Sequence, residues 1–283
     1  MKKADVIILA GQSNAVGVGF YKYLPKHFSA DKVAQYRKGY KDIKINYFSH
    51  DKKSDGFVPV TFGCTELTKD TFGPELGMAE YMTEKGHERE VFIVKCAFGG
   101  MSLYRDWLSP SSGRGYDKDA FADQKPDVIS AVFAGEEIRA GWCYNELVKL
   151  LHESLTELES RGYASQIRGF CWMQGESDAD NEAHAKQYIE LYGNLLCDLK
   201  AQFKEYFNGC IFADAAISAQ WPLYREINEA KRRFSETHEG CVFIDTVAQG
   251  LTTENEPEGS PDTAHYDSDS TVKLGHLFAK AIF

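Results

Sequence analysis

Ser13 lies where a short apolar run, Ile7-Ile-Leu-Ala10, gives way to Gly11-Gln-Ser-Asn-Ala-Val-Gly17. Small residues let the backbone turn sharply at the end of a buried strand, which would leave a hydroxyl at the strand's carboxyl end. In open parallel sheets ligands bind at those ends, so Ser13 is a candidate nucleophile. The alternative is a capping serine that starts the next helix, with Asn14 as a further turn residue. A serine alcohol is a weak nucleophile and needs a base that is itself oriented by a third group. Of the eight histidines, His265 is placed best for this. It follows Ser260-Pro-Asp-Thr-Ala264 in a loop between the last strand-like run and the last helical stretch, again on the carboxyl-end side. Asp262 precedes it by three residues, a spacing that lets a carboxylate fold back onto the imidazole Nδ1–H. A merely solvated acidic loop is the competing reading, because Asp267 and Asp269 follow at once. His27 and His50 fall in a segment that could touch substrate. His87, His152, His184 and His238 sit among charged helical residues, and His276 falls within the last helix.

An acyl-transfer site also needs preorganised donors where the carbonyl oxygen gains charge, and losing one costs roughly 3 kcal/mol. The amide of Gln174, in Cys171-Trp-Met-Gln-Gly-Glu-Ser-Asp178, can supply such a donor, and the Gly99-Gly100 turn can supply backbone N–H groups. Glu176 reaches the same edge, although an acid there also suits a helix start. The two glycines also read as a tight turn only. Aromatic residues near this rim, Tyr104, Trp107, Trp172 and Trp221, offer faces to a sugar ring or serve ordinary packing. Arg105 could pair with an acidic sugar or remain a surface charge.

Five apolar runs can position these residues: Asp5 to Ala10, Val91 to Ala97, Ile167 to Met173, Gly209 to Ile217 and Cys241 to Asp245. Their near-continuous hydrophobicity suits strands buried on both faces. Helical stretches lie between and after them: Pro74 to Lys85, Glu146 to Glu159, Ala179 to Phe207, Pro222 to Thr237 and Ser270 to Phe283. Pro74-Glu75 is a proper helix start, and Leu147, Leu150, Leu151, Leu155 and Leu158 share one face. This alternation predicts an α/β fold, a three-layer α/β/α sandwich of flavodoxin type with a mostly parallel five-stranded sheet. One domain over residues 1–283 is expected, with an insertion near residues 20–62 that reads as a short β excursion or lid. Ser111 to Lys125 reads as a long surface loop.

With 283 residues, 43% of them hydrophobic, the chain can bury a sizeable core. A net charge of −10 without a basic stripe argues against a nucleic-acid partner. Seven cysteines form no CxxC pair, and Cys96, Cys171 and Cys241 lie in apolar runs where the thiol acts as a small hydrophobe. That usage argues against a disulfide scaffold or zinc knuckle and fits a reducing, cytoplasmic setting. The apolar stretch Val6 to Ala10 behind Lys2 and Lys3 is too short for a signal-peptide core or a membrane span. A nucleotide- or flavin-binding protein fits poorly. The first loop lacks Gly-x-x-x-x-Gly-Lys-Ser/Thr, and Gly17-Val-Gly19 is not completed by a third glycine.

Five blocks occur in order along nearly the whole chain: Gly11-Gln-Ser-Asn14, Phe72-Gly-Pro-Glu-Leu-Gly77, Phe98-Gly-Gly-Met-Ser-Leu103, Trp172-Met-Gln-Gly-Glu-Ser177 and Asp262-Thr-Ala-His265. Together they resemble the SGNH hydrolase superfamily, and within it the sialate O-acetylesterase-like group that includes carbohydrate esterase family six. The resemblance implies a serine esterase that removes O-acetyl groups from a carbohydrate, of acetyl xylan or sialate type, through an acetyl-serine intermediate and without metal or cofactor. It implies Ser13 as nucleophile, His265 as base and Asp262 as its orienting acid. It also implies an oxyanion hole made by the Ser13 N–H, a glycine at 99 or 100, and Gln174, with Gln12, Asn14 and Glu176 in support. Gln174 replaces the superfamily's usual asparagine, as is typical of this branch, and Met173 stands where the branch often has histidine. An imidazole base must be neutral to act, so activity should fall in acid. The rival expectation is a carbohydrate-binding protein that keeps the fold without turnover.

Overall fold

In Lys2 to Gly11 every residue from Ala4 onward is buried, the pattern of a strand covered on both faces. This strand, β1 (Lys2–Gly11), lies inside the sheet of the computed structural model, which describes residues 1–121 and 140–283. Five further strands run parallel with it: β2 (Tyr40–Ser49), β3 (Glu90–Ala97), β4 (Tyr163–Met173), β5 (Ile211–Ala215) and β6 (Cys241–Ile244). Their spatial order is β6-β5-β4-β1-β3-β2, all parallel. The chain builds outward from β1 first in one direction and later in the other. Apart from β2 this is the flavodoxin-type order, and the crevice outside the end of β1 is its ligand-binding switch point.

The architecture is the expected α/β/α sandwich with a mostly parallel sheet, but the sheet holds six parallel strands rather than five. The additional one, β2, comes from the stretch read as a β excursion. That stretch also forms the helix α2 (Ala30–Lys38), capped by the Ser29 side chain accepting from Lys32 N–H. Lys41, Asp42 and Lys44 dilute the apolar signal of β2 because it lies near the sheet's edge, where charged residues are tolerated. Short antiparallel segments, Lys52–Lys53 and Val58–Val60, cover its outer side.

The remaining helices are α3 (Glu75–Lys85), α4 (Trp142–Ser160), α5 (Glu182–Gln202), α6 (Tyr224–Thr237) and α7 (Ser268–Ile282). Helix α3 packs on β2, α4 packs on β2, β3 and β4, and α6 packs on α5 and β6. Helix α7 returns to pack on α3. A methyl at Gly77 would sit 2.0 Å from Val272 O, and one at Gly275 2.0 Å from Pro74 O, so these two helices approach closely only through glycine.

Pro110–Ser112 forms a single 3-10 turn, and Tyr116 bridges to Ala140. Residues 122–125 of the expected surface loop lie outside the described residues. None of the seven cysteines, all described, is in a disulfide. Among the described residues, no helix is long and apolar enough to cross a membrane. Nor does any group of His, Cys, Asp and Glu among them form a cluster able to hold a metal ion.

Candidate active site

Gly11 ends β1 with φ +142°, and a Cβ there would lie 1.9 Å from Met173 O. Only glycine lets β1 and β4 come this close at the rim. Gln12 N–H then donates to Met173 O at 2.9 Å, and Phe98 N–H to Gly11 O at 3.1 Å, which pins the turn to the loops after β4 and β3. Gln12 O accepts from Ala15 and Val16 N–H at 2.8 and 2.9 Å, and so opens the single helical turn α1 (Ser13–Val16). Ser13 begins that turn, half-buried at the middle of the rim.

A fully buried lysine of β3 holds the far end of the same turn. Lys95 Nζ donates to Val16 O at 2.7 Å, Thr65 Oγ1 at 2.8 Å and Glu75 Oε2 at 2.6 Å. Its charge is therefore paired and every donor is used, as burial requires. Sequence reasoning gave Lys95 no role, although a lysine inside an apolar run was a signal that something polar must meet it.

The residue after Ser13 reaches two distant segments. Asn14 Nδ2 donates to Glu176 Oε1 at 2.7 Å and Ala264 O at 3.3 Å, while its Oδ1 accepts from Tyr266 N–H at 3.0 Å. His265 lies between those last two partners. Its Nδ1 is 2.6 Å from Asp262 Oδ2. Ala264 N–H donates to Asp262 Oδ1 at 3.2 Å and His265 N–H to Asp262 O at 3.2 Å, the short turn that folds the carboxylate back. In the tautomer whose Nδ1–H faces the carboxylate, Nε2 carries the lone pair. Among the described residues no hydrogen bond joins Ser13 Oγ to His265 Nε2, a contact that commonly forms only with substrate in place.

Glu176 is wholly buried, and burial pushes its carboxyl group upward against the opposing donation from Asn14. Its neighbour Gln174 is equally buried. Gln174 Nε2 donates to Asp178 Oδ2 at 2.6 Å and lies 3.2 Å from both Gln12 Oε1 and Met101 O. For this amide to serve an oxyanion, one of those bonds must be exchanged. Gln12 Oε1 also accepts from Ser177 N–H at 3.1 Å. Asp178 further accepts from Leu103 and Tyr104 N–H at 2.8 and 3.0 Å. Burial raises its carboxyl to about 6 in spite of these donors.

Beneath Gln174 sits a second buried lysine, missed by sequence reasoning because it belongs to the charged, amphipathic α6. Lys231 Nζ donates to Gln174 O at 2.6 Å, Asp214 Oδ1 at 2.7 Å and Ala215 O at 2.8 Å. Tyr188 Oη adds a bond of 2.9 Å to the same Gln174 carbonyl. Burial lifts Asp214 to about 6, with Lys231 pulling it down.

Gly99 backs Ser13: a methyl built on it would be 3.8 Å from Ser13 Cβ. Gly100, at φ +74°, makes the turn and faces open space. Of the two histidines of the 20–62 stretch, the structure brings His50 to this rim, its Nδ1 being 3.7 Å from that methyl position. His27 lies elsewhere, 3.2 Å from Glu256 Oε1.

Trp107 is corrected. It is fully buried, as is Trp172, and the two rings pack edge to face at 5.0 Å. Both are core residues with no face left for a sugar, because the loop after β3 folds inward onto Asp178. Tyr104 is half-buried, stacked on His184 at 3.9 Å with the Arg114 guanidinium 4.0 Å from its ring. Arg105 forks onto Asp106 at 2.9 and 3.1 Å, so its charge is already paired.

A family model described as carbohydrate esterase, sialic acid-specific acetylesterase matches residues 3–283. The chain belongs to this family. A search of curated proteins finds no match. Among solved structures, a protein of Arabidopsis thaliana is 18% identical with a TM-score of 0.63, the match covering 98% of this chain and 97% of that one. NanS is 16% identical with a TM-score of 0.66, over 99% of this chain and 97% of that one. A carbohydrate acetylesterase of Xanthomonas citri is 14% identical with a TM-score of 0.57, over 98% of this chain and 55% of that one. At these identities the likeness is one of fold. In this member of the sialic acid-specific acetylesterase family, Ser13, Gly99, Gln174 and the Asp262–His265 pair thus stand on loops at one rim of one sheet.

Proposed function

We propose that the protein is a serine esterase that removes O-acetyl groups from a carbohydrate. The observation that carries this reading is the paired Asp262–His265, tied through Asn14 to the turn that bears Ser13. His265 Nε2 takes the proton as Ser13 Oγ attacks the acetyl carbonyl, and Asp262 stabilises the imidazolium that forms. The oxyanion is met by the Ser13 N–H, by a backbone N–H of Gly99 or Gly100, and by an amide of the Gln12–Gln174 pair. The C–O bond to the sugar then breaks, and the sugar oxygen leaves with the proton from His265. Water, deprotonated by the same imidazole, attacks the acetyl-serine. Acetate departs and Ser13 regains its hydrogen. The family model supports an acetylated carbohydrate as the substrate class.

Acetate release from a panel of acetylated sialic acids and acetylated xylo-oligosaccharides tests this reading, with Ser13→Ala as the control. Release by the wild type and its loss in the variant are expected. Saturable sugar binding with no acetate released would instead mean a binding protein on an esterase fold.

A further inference from the structure

Among the described residues, His50 is the one non-glycine residue with positive φ, at 56°. Glycine and asparagine adopt that left-handed conformation readily, whereas other side chains do so at a cost. Such outliers cluster where a site needs a particular side chain in a particular place. His50 follows directly on β2, and its N–H donates to Ala97 O at the end of β3 at 2.8 Å. A methyl built on Gly99 would lie 3.7 Å from His50 Nδ1, 3.9 Å from His50 Cε1 and 3.8 Å from Ser13 Cβ. The imidazole and the nucleophile's side chain therefore border the same space over Gly99. Along the rim the residues follow the strand order: Gln174 after β4, Ser13 after β1, Gly99 after β3 and His50 after β2.

The segment that carries His265 lies on the β4 side of the rim, because Asn14 Nδ2 bonds both Glu176, which follows β4, and Ala264 O, and Tyr266 Oη donates to Ala216 O, which follows β5. An ester attacked by Ser13 must turn its leaving oxygen toward His265, which protonates it, and its carbonyl oxygen toward the amide donors. The acyl substituent is left on the opposite side, toward β3 and β2, where His50 stands. We propose that His50 forms the wall of the acyl subsite and sets a preference for acetyl over longer acyl chains. The inference rests on the serine-esterase reading. A ring in that space leaves no room for further methylenes, and one misplaced methylene is worth about 10- to 200-fold in discrimination.

The test compares kcat/KM for 4-nitrophenyl acetate, propionate and butyrate in the wild type, His50→Gly and His50→Asn. Both replacements accept the native backbone conformation, so loss of the ring adds no strain, and thermal unfolding checks that each variant is folded. The butyrate-to-acetate ratio should rise at least about tenfold in His50→Gly and by less in His50→Asn. An unchanged ratio in an active enzyme overturns the assignment. So does a rise in KM for an acetylated sugar with the ratio unchanged, which would place the ring against the sugar. Absence of turnover of every ester by the wild type would instead defeat the esterase reading itself.

Discussion

Asn14 grips the main chain on both sides of His265, accepting from Tyr266 N–H at 3.0 Å and donating to Ala264 O at 3.3 Å across 250 residues of sequence. The residue beside the proposed nucleophile thereby positions the proposed base. Its third bond, 2.7 Å to the buried Glu176, fixes the orientation of the amide. The clamp uses all three of its polar bonds for geometry and none for chemistry.

Asn14→Ala should lower kcat on an acetyl ester about 100-fold while KM stays within about twofold, the signature of a base displaced by an ångström or so. Steady-state kinetics at a fixed pH read this directly. Wild-type kcat in the variant would mean that the 264–266 segment holds its place unaided.

Asp262→Asn should lower kcat/KM roughly 10,000-fold, because the imidazole would lose both its tautomer and its counter-charge. Combining it with Ser13→Ala should add little further loss, since residues that act as one unit are not additive. Additive losses would separate Asp262 from the serine.

Lys231→Met should destabilise the fold by about 3–5 kcal/mol, because Asp214 is left buried without its partner. Adding Asp214→Leu should restore most of that loss. Urea unfolding at pH 7 measures both. A single variant within about 1 kcal/mol of wild type would show that the pair is not what holds Gln174 O in place.

Asp178 carries a pH-dependent share of stability. Its folded value of about 6 stands above the ordinary 3.8, so between them the folded chain holds a proton that the unfolded chain releases. The contribution is fully present below the unfolded value and is lost as pH rises through the folded one. A shift of this size corresponds to about 3 kcal/mol. Asp178→Asn, which cannot titrate, should therefore cost more stability at pH 4 than at pH 8 when unfolding of variant and wild type is compared. Equal costs at the two pH values would contradict the raised carboxyl.

The sheet was legible wherever apolar runs were unbroken, as in Ile167 to Met173, because burial on both faces demands such runs. Strand β2 was not, since Lys41, Asp42 and Lys44 at the margin of the sheet hide its inward residues. Local spacing and block order singled out Ser13, Asp262 and His265 as candidates, and of these the structure joins Asp262 to His265. Lys95 and Lys231 could not: their meaning lies in which carbonyls they meet, and those partners are fixed only by tertiary packing. Trp107 failed for the opposite reason, because nothing local says whether a loop aromatic faces a ligand or the core.

Treatment with a serine-directed organophosphonate, followed by peptide mass mapping, tests the central claim most directly. A single covalent adduct on Ser13 is expected, absent in Ser13→Ala and formed far more slowly in His265→Ala. An adduct on another residue, or acetyl-ester turnover that survives in Ser13→Ala, would contradict it.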